Sequence, residues 1–143
     1  MLKSFITHLN NCGIVLASKS SRRKRILEEI VGLKFEIFPS RFEENLELKD
    51  FSSPGDFVME TAKQKALAVA AYLEKEKKPV HLVIGADTVV IMDGEAFGKP
   101  EGNAEALGML ERLSGRTHEV MTGVALILPL RKGKGKAFVV SSA

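Results

Sequence analysis

The sequence predicts an α/β protein, because strand-like segments alternate along the chain with segments of helical spacing. Three observations support this prediction: an apolar run at residues 14–17 that leads into a helical pattern, a long apolar stripe after Pro54, and a strand-like run over residues 80–92. The chain has 143 residues, of which 45% are hydrophobic. This length predicts one domain, residues 1–143, that is large enough to bury a core.

The first strand and the first helix are predicted on either side of a serine-rich turn. Ile14 to Ala17 forms the strand, and Ser20 or Ser21 can cap the following helix through its hydroxyl. Apolar residues then recur at helical spacing: Ile26, Leu27 and Ile30. A strand, a tight turn and a helix are therefore expected in this order.

The turn carries two adjacent arginines, Arg22 and Arg23. Uncapped N–H groups at a helix N-terminus attract anions, and Arg presents a planar fork of donors that matches phosphate oxygens. The corner formed by Leu16 to Arg23 therefore favours a phosphate larger than a stray counterion. The alternative is a capped helix whose arginines are simply solvated.

A second strand is predicted at Phe35 to Phe38, followed by a polar loop, Pro39 to Ser53, that carries Glu44. Pro54 suits the first position of a helix, with the serine before it as the cap. This helix is expected to run to about Lys77. Its apolar stripe consists of Val58, Ala62, Ala66, Val69 and Leu73.

Lys65 is a cation beside this apolar stripe, three residues after Ala62 and four before Val69. Two interpretations are open. The side chain either extends along the edge of the stripe to reach water, or it reaches a phosphate nearby.

Asp87 interrupts the apolar run from Val80 to Met92. An ionised carboxylate among apolar residues is costly unless it is paired, hydrogen-bonded or bound to a metal, so Asp87 is predicted to have a specific partner. Gly85 permits close approach of another backbone or a ligand. The alternative is an aspartate at a strand end that faces water.

Turns and a further helix are predicted after this strand. Asp93-Gly94 indicates a tight hairpin, and Gly98 to Pro100 a second turn. Asn103 can cap a helix that runs to Leu113 with Gly115 as its stop, and Glu119 to Leu130 is expected to be extended. Four cations then predict a solvated hairpin turn: Arg131, Lys132, Lys134 and Lys136.

Composition limits the partners and the compartment. The net charge of +3 is a modest excess with both signs interspersed, so a nucleic-acid partner is not expected, whereas small polyanions are. Cys12 is the only cysteine, which fits a reducing compartment. No apolar run reaches the roughly 20 residues of a membrane span, so no membrane partner and a cytoplasmic location are expected.

Six blocks in this order resemble the septum-formation (Maf) family of nucleoside triphosphate pyrophosphatases, over about residues 12–128. The blocks are Leu16 to Arg23, the Glu44 loop, Glu60 to Ala66, Gly85 to Val90, Gly98 to Pro100 and Leu113 to Val120. The resemblance implies a mixed twisted sheet with flanking helices, elongated and two-lobed, and a possible homodimer. It also implies hydrolysis of a nucleoside triphosphate to the monophosphate and pyrophosphate with Mg²⁺ or Mn²⁺.

The resemblance also implies roles for individual residues. Asp87 would be the general base, and Glu44 would assist the water; both would serve the metal ion. The residues that would bind substrate are Ser18, Ser20, Arg22, Arg23, Lys65, Lys99, Arg116 and Thr117. Among these, Arg116 and Thr117 belong to a block that is similar to the subgroup acting on dTTP and UTP.

The sequence departs from the family pattern at two places. Ser21 stands where the family has proline, a mild change because serine also suits a helix start. Little after about Leu130 resembles the family, which predicts a C-terminally truncated domain. Such a chain is a truncated product, a splice form or a divergent copy, and the sequence leaves these three alternatives open. The alternative function is therefore a nucleotide-binding or regulatory protein without turnover, and a basic nucleic-acid-binding module is a third hypothesis.

Overall fold

The structure, a computed structural model, describes residues 2–43, 45–129 and 135–142. Its helices are α1 (Leu2–Leu9), α2 (Ser21–Arg25), α3 (Pro54–Lys75) and α4 (Asn103–Leu113). Its strands are β1 (Ile14–Leu16), β2 (Glu36–Ile37), β3 (Leu82–Met92), β4 (Glu95–Phe97), β5 (Glu119–Ile127) and β6 (Gly135–Ser142). A π-helical segment, Ile26–Val31, continues α2, and a short 3₁₀ turn spans Leu48–Asp50.

The strands form one mixed sheet in the order β2-β1-β3-β5-β6, with β4 paired to β3. β1 is parallel to β2 and to β3, whereas β5 is antiparallel to both β3 and β6. The helices flank this sheet, so the predicted mixed α/β class is confirmed. In the described part of the chain, no helix is long and apolar enough to cross a membrane.

The long strand β3 has a gap in its pairing that positions the site. β5 pairs with one edge of β3 from Val83 to Ile91. The opposite edge pairs with β1 up to Ile84 and with β4 only from Val90 onward. Between these points no described strand covers the edge, and we call this stretch, residues 85–89, the notch. It contains Asp87.

The two faces of the sheet have separate cores. α3 covers one face and packs its stripe on β1, β3 and β5, with Val58, Ala62 and Ala66 fully buried. On the other face, Leu16 and Ile84 pack against residues from α1 and from the segment that follows α2. The connection from β1 to β2 therefore lies on one face of the sheet, and the connection from β2 to β3 lies on the other face.

Two glycines let α3 lie directly on the sheet. A Cβ atom at Gly85 would lie 2.3 Å from the Ala62 carbonyl oxygen and 2.9 Å from the Ala66 Cβ. A Cβ atom at Gly123 would lie 2.6 Å from the Val58 carbonyl oxygen. Because real Cβ atoms do not approach so closely, both positions require glycine at this separation.

Several local predictions are confirmed. The Ser53 hydroxyl accepts a hydrogen bond from the Asp56 N–H at 3.1 Å, and Pro54 begins α3. Asp93 and Gly94 both have positive φ, as a tight hairpin turn between β3 and β4 requires. Gly115 also has positive φ just beyond the end of α4, where a helix stop is expected.

α3 ends at Lys75, close to the predicted end at about Lys77. The predicted cap at Asn103 is wrong: Gly102 holds the capping position without a side-chain bond, and Asn103 is the first residue of α4. Ile30 is 79% exposed, because the backbone after Arg25 widens into the π-helical segment and turns that residue away from the sheet. Helical spacing alone does not capture such a change of pitch.

The predicted strands are longer than the observed ones. β2 contains only Glu36–Ile37, β3 begins at Leu82, and β5 ends at Ile127. Lys136 lies within β6 and not in a turn, because β6 pairs with β5 from Gly135 onward. The other cations of that predicted turn, residues 131, 132 and 134, lie outside the described residues.

The contact at Gly85 predicts a large effect of one methyl group. Gly85→Ala should lower the free energy of unfolding by about 3 kcal/mol, because the clash is with backbone and α3 must move. Gly108→Ala is the matched control, since its Cβ would meet nothing within 4 Å and α4 should gain up to about 1 kcal/mol. Chemical denaturation measures both, and equal stability of the two variants would contradict the account.

Candidate active site

A cleft of about 1270 Å³ opens at the notch of β3. Four parts of the chain form its walls: the turn after β1, the segment that contains the 3₁₀ turn, one side of α3, and the β3–β4 hairpin together with the turn that follows it. Its described charged residues are six cations and three carboxylates: Lys19, Arg22, Arg23, Lys49, Lys65 and Lys99 against Glu47, Asp87 and Glu95. The excess of positive charge suits a polyanion.

The turn after β1 forms one wall and is ordered by its own serines. The Ser20 hydroxyl caps α2 by accepting a hydrogen bond from the Arg23 N–H at 3.3 Å. The buried Ser18 hydroxyl accepts the N–H of Ser20 at 3.2 Å. The predicted capping of this helix is confirmed for Ser20, and Ser21 is the first residue of α2.

Arg23 joins this turn to the sheet. Its Nη1 donates to the Ser18 hydroxyl at 3.0 Å, and its Nη2 donates to the hydroxyl of Thr88 in the notch, also at 3.0 Å. The Thr88 and Thr122 hydroxyl oxygens are 2.9 Å apart, because these residues face each other on β3 and β5. The guanidinium is therefore held at both terminal nitrogens.

Lys65 and Asp87 form an ion pair on the opposite side of the sheet. The Lys65 Nζ lies 3.0 Å from the Asp87 Oδ1, and their side chains are only 14% and 12% exposed. The predicted partner of Asp87 therefore exists, and it is the lysine that sits beside the stripe of α3. The ion pair explains why both charged side chains can be buried, because each charge offsets the desolvation cost of the other.

The β3–β4 hairpin is paired with two arginines, Arg112 of α4 and Arg116 just beyond the end of that helix. Arg112 donates to both carboxylate oxygens of Glu95, at 3.2 and 2.6 Å, and its guanidinium lies 4.6 Å from the centre of the Phe97 ring. Arg116 pairs with Asp93 at the hairpin turn. These contacts set the position of the wall that leads into Lys99.

The structure brings most predicted site residues to one cleft. Ser18, Ser20, Arg22, Arg23, Lys65, Asp87 and Lys99 all line it. Arg116 and Thr117 are not among the lining residues; both are exposed beyond the end of α4. Glu44 lies outside the described residues, so its predicted role stays a prediction.

Sequence reasoning did not single out Thr88 or Phe57, which also line the cleft. For Thr88 a signal existed, because neighbours in a strand point to opposite faces and the residue beside Asp87 therefore faces the side of α2. Phe57 offered no such signal, since an aromatic residue in the first turn of a helix is ordinary.

Asp87 supplies the kind of oxygen donor that Mg²⁺ and Mn²⁺ accept. In the described residues no three His, Cys, Asp or Glu side chains are grouped to hold a metal ion. Mg²⁺ commonly binds through one or two carboxylates together with substrate phosphates. Asp87, the one buried carboxylate among the described residues of the cleft, therefore fits a magnesium ion when a polyphosphate is bound.

The sequence model of a family described as Maf-like protein matches residues 13–143, nearly the whole chain. The chain therefore belongs to the Maf-like family. The family model extends beyond Leu130, and the extent of the close resemblance, about residues 12–128, stays a prediction.

Individual relatives agree with this assignment. A Bacillus cereus protein named dTTP/UTP pyrophosphatase is 51% identical over 114 residues, which is 80% of this chain and 56% of the relative. A human protein named "Probable bifunctional dTTP/UTP pyrophosphatase/methyltransferase protein" is 50% identical over 115 residues, 80% of this chain and 18% of the relative. The chain thus spans about half the length of the bacterial relative and less of the human one.

Among solved structures, a HAM1 protein from Coxiella burnetii has a similar fold. The TM-score is 0.50 at 18% identity, and the alignment covers 91% of this chain and 70% of that chain. This likeness concerns the fold, and it agrees with the mixed sheet described above.

The contact between Glu95 and Arg112 makes a prediction about pH. The hydrogen bond from Arg112 lowers the pKa of Glu95 below its ordinary value. Whatever the pair contributes to holding the hairpin is therefore present above the ordinary glutamate pKa and lost as the pH falls through the lowered one.

Carboxyl NMR titration measures this directly. The pKa of Glu95 should lie below the ordinary value for a glutamate, and Arg112→Gln should return it toward that value. If Glu95 titrates identically in both proteins, the contact does not exist in solution.

Proposed function

We propose that this chain hydrolyses nucleoside triphosphates, with dTTP and UTP preferred, to the nucleoside monophosphate and pyrophosphate. The observation that carries the proposal is the buried Lys65–Asp87 pair at the floor of a cleft whose other charged residues are mostly cations. The names of the relatives, dTTP/UTP pyrophosphatases, support the substrate class.

The cations of the cleft are proposed to bind the phosphate chain. Arg22 and Arg23 lie at the N-terminus of α2, Lys65 lies on α3, Lys99 lies in the turn after β4, and all four line the cleft. Charge that develops on the leaving pyrophosphate would be stabilised by these groups, of which Arg23 and Lys65 are already held by hydrogen bonds. A divalent cation, when bound, would neutralise further phosphate charge.

Asp87 is proposed to act as the general base. Its carboxylate would accept a proton from a water molecule, whose oxygen forms a bond to the α-phosphorus while the bond from that phosphorus to the bridging oxygen breaks. Lys65 donates a hydrogen bond to Oδ1 and so fixes the orientation of the carboxylate. Glu44 stays a predicted assistant of the water and the metal ion.

Preference for dTTP and UTP is proposed from the relatives and from the block that contains Arg116 and Thr117. Because Arg116 pairs with Asp93 at the hairpin turn, its influence on the base would pass through the hairpin wall. The cytoplasmic location, the homodimer and the exclusion of nucleic-acid partners remain predictions.

The test is product identity over a panel of nucleotides with magnesium, in which pyrophosphate and inorganic phosphate are both measured. We expect monophosphate and pyrophosphate in equal amounts, the highest kcat/KM with dTTP or UTP, and no release after chelation of the metal.

Three results would contradict the proposal in different ways. Inorganic phosphate with a nucleoside diphosphate would indicate an ordinary phosphatase. Metal-dependent nucleotide binding without any product would favour the nucleotide-binding alternative. A methylated GTP as the best substrate would leave the reaction type intact and overturn the base preference.

A further inference from the structure

We propose that Thr122 is a positioning residue that acts through Thr88 to hold the Arg23 guanidinium toward the substrate phosphates. This inference rests on the proposed function, because it assigns Arg23 a phosphate to bind. Thr122 is not among the residues that line the cleft, whereas Thr88 and Arg23 are. We therefore expect Thr122 to act on the reaction through these two side chains.

The hydrogen bonds form a continuous chain from the sheet to the guanidinium. The Arg23 Nη2 donates to the Thr88 hydroxyl oxygen at 3.0 Å, and that oxygen lies 2.9 Å from the Thr122 hydroxyl oxygen. Because Arg can only donate, the Thr88 oxygen is the acceptor, and its own proton is available for Thr122. Thr122 thereby favours the orientation of the Thr88 hydroxyl in which its oxygen accepts a hydrogen bond from the guanidinium.

Thr122 is well placed to fix the direction of the Thr88 hydroxyl. It lies in the middle of β5, which is paired with β3 on one side and β6 on the other. A threonine in a strand has a restricted first side-chain torsion, so its hydroxyl is a stiff reference point. Arg23, by contrast, has a long side chain with several rotatable bonds, and the backbone of α2 alone does not determine where its guanidinium lies.

The guanidinium is anchored on two different elements, which shows why the chain of contacts from Thr122 through Thr88 to Arg23, here called the relay, matters. The Arg23 Nη1 bonds to Ser18, in the turn after β1, and Nη2 bonds to Thr88, on β3. With both anchors the plane of the guanidinium is fixed relative to the sheet. Loss of the Thr88 anchor would leave the guanidinium less constrained, and an Arg that must first be oriented stabilises a transition state less well.

The test is a double-mutant cycle between Thr122 and Arg23. Thr122→Val removes the hydroxyl at nearly constant volume and keeps a residue that favours strands. We expect kcat/KM for the best nucleotide to fall about 10-fold in Thr122→Val and to be restored by Thr122→Ser. In the Arg23→Ala background, Thr122→Val should have no further effect, because the group it orients is gone.

Controls separate this role from a merely structural one. Thr7→Val removes an exposed hydroxyl that bonds within α1 and is not among the residues that line the cleft, so it should leave kcat/KM unchanged. Thermal unfolding of each variant identifies any loss of folded protein. If Thr122→Val lowers kcat/KM equally in the wild-type and Arg23→Ala backgrounds, or not at all, the inference is wrong.

A binding measurement keeps the inference separate from the proposed function. Calorimetry with inorganic tripolyphosphate needs no turnover, and we expect weaker binding in Thr122→Val but not when Arg23 is already alanine. That pattern in a protein that releases no pyrophosphate would support the relay and overturn the proposed reaction. Hydrolysis by the wild type with an unaffected Thr122→Val would support the reaction and overturn the relay.

Discussion

The direct contact between the backbone of α3 and the strands β3 and β5 is the constraint on which the site depends. At Gly85 and Gly123 no side chain separates helix from sheet, so the lysine at the edge of the helical stripe reaches the carboxylate of Asp87. A buried ion pair is seldom an efficient source of stability, since well-packed apolar residues often serve as well or better. Its presence in the floor of a cleft is therefore better explained by chemistry than by folding.

The notch in β3 explains how residues from both faces of the sheet meet one ligand. Asp87 points to the side of α3 and Thr88 to the side of α2, and in a fully paired strand these side chains would be separated by the sheet. Here β1 ends and β4 has not yet begun, so the cleft is open to both.

Local chemistry in the sequence predicted much of this arrangement. The cap at Ser20, the start of α3 and the hairpin at Asp93-Gly94 follow from short-range rules, and burial of Asp87 predicted that a partner exists. The identity of that partner, Lys65, depends on the position of α3 along β3. No local sequence pattern encodes this position. The same holds for the bond from Arg23 to Thr88, and for Arg116, whose pairing with Asp93 joins elements that are distant in sequence.

The central claim is that the carboxylate of Asp87, held by Lys65, carries the chemistry of the cleft. Asp87→Asn keeps the shape and an oxygen that can accept from Lys65, so nucleotide affinity should change little while turnover at saturating substrate falls by about 100-fold or more. Asp56→Asn, at an exposed carboxylate in the first turn of α3, is the matched control and should turn over like the wild type. Equal turnover of Asp87→Asn and wild type, with both folded and saturated, would contradict the account.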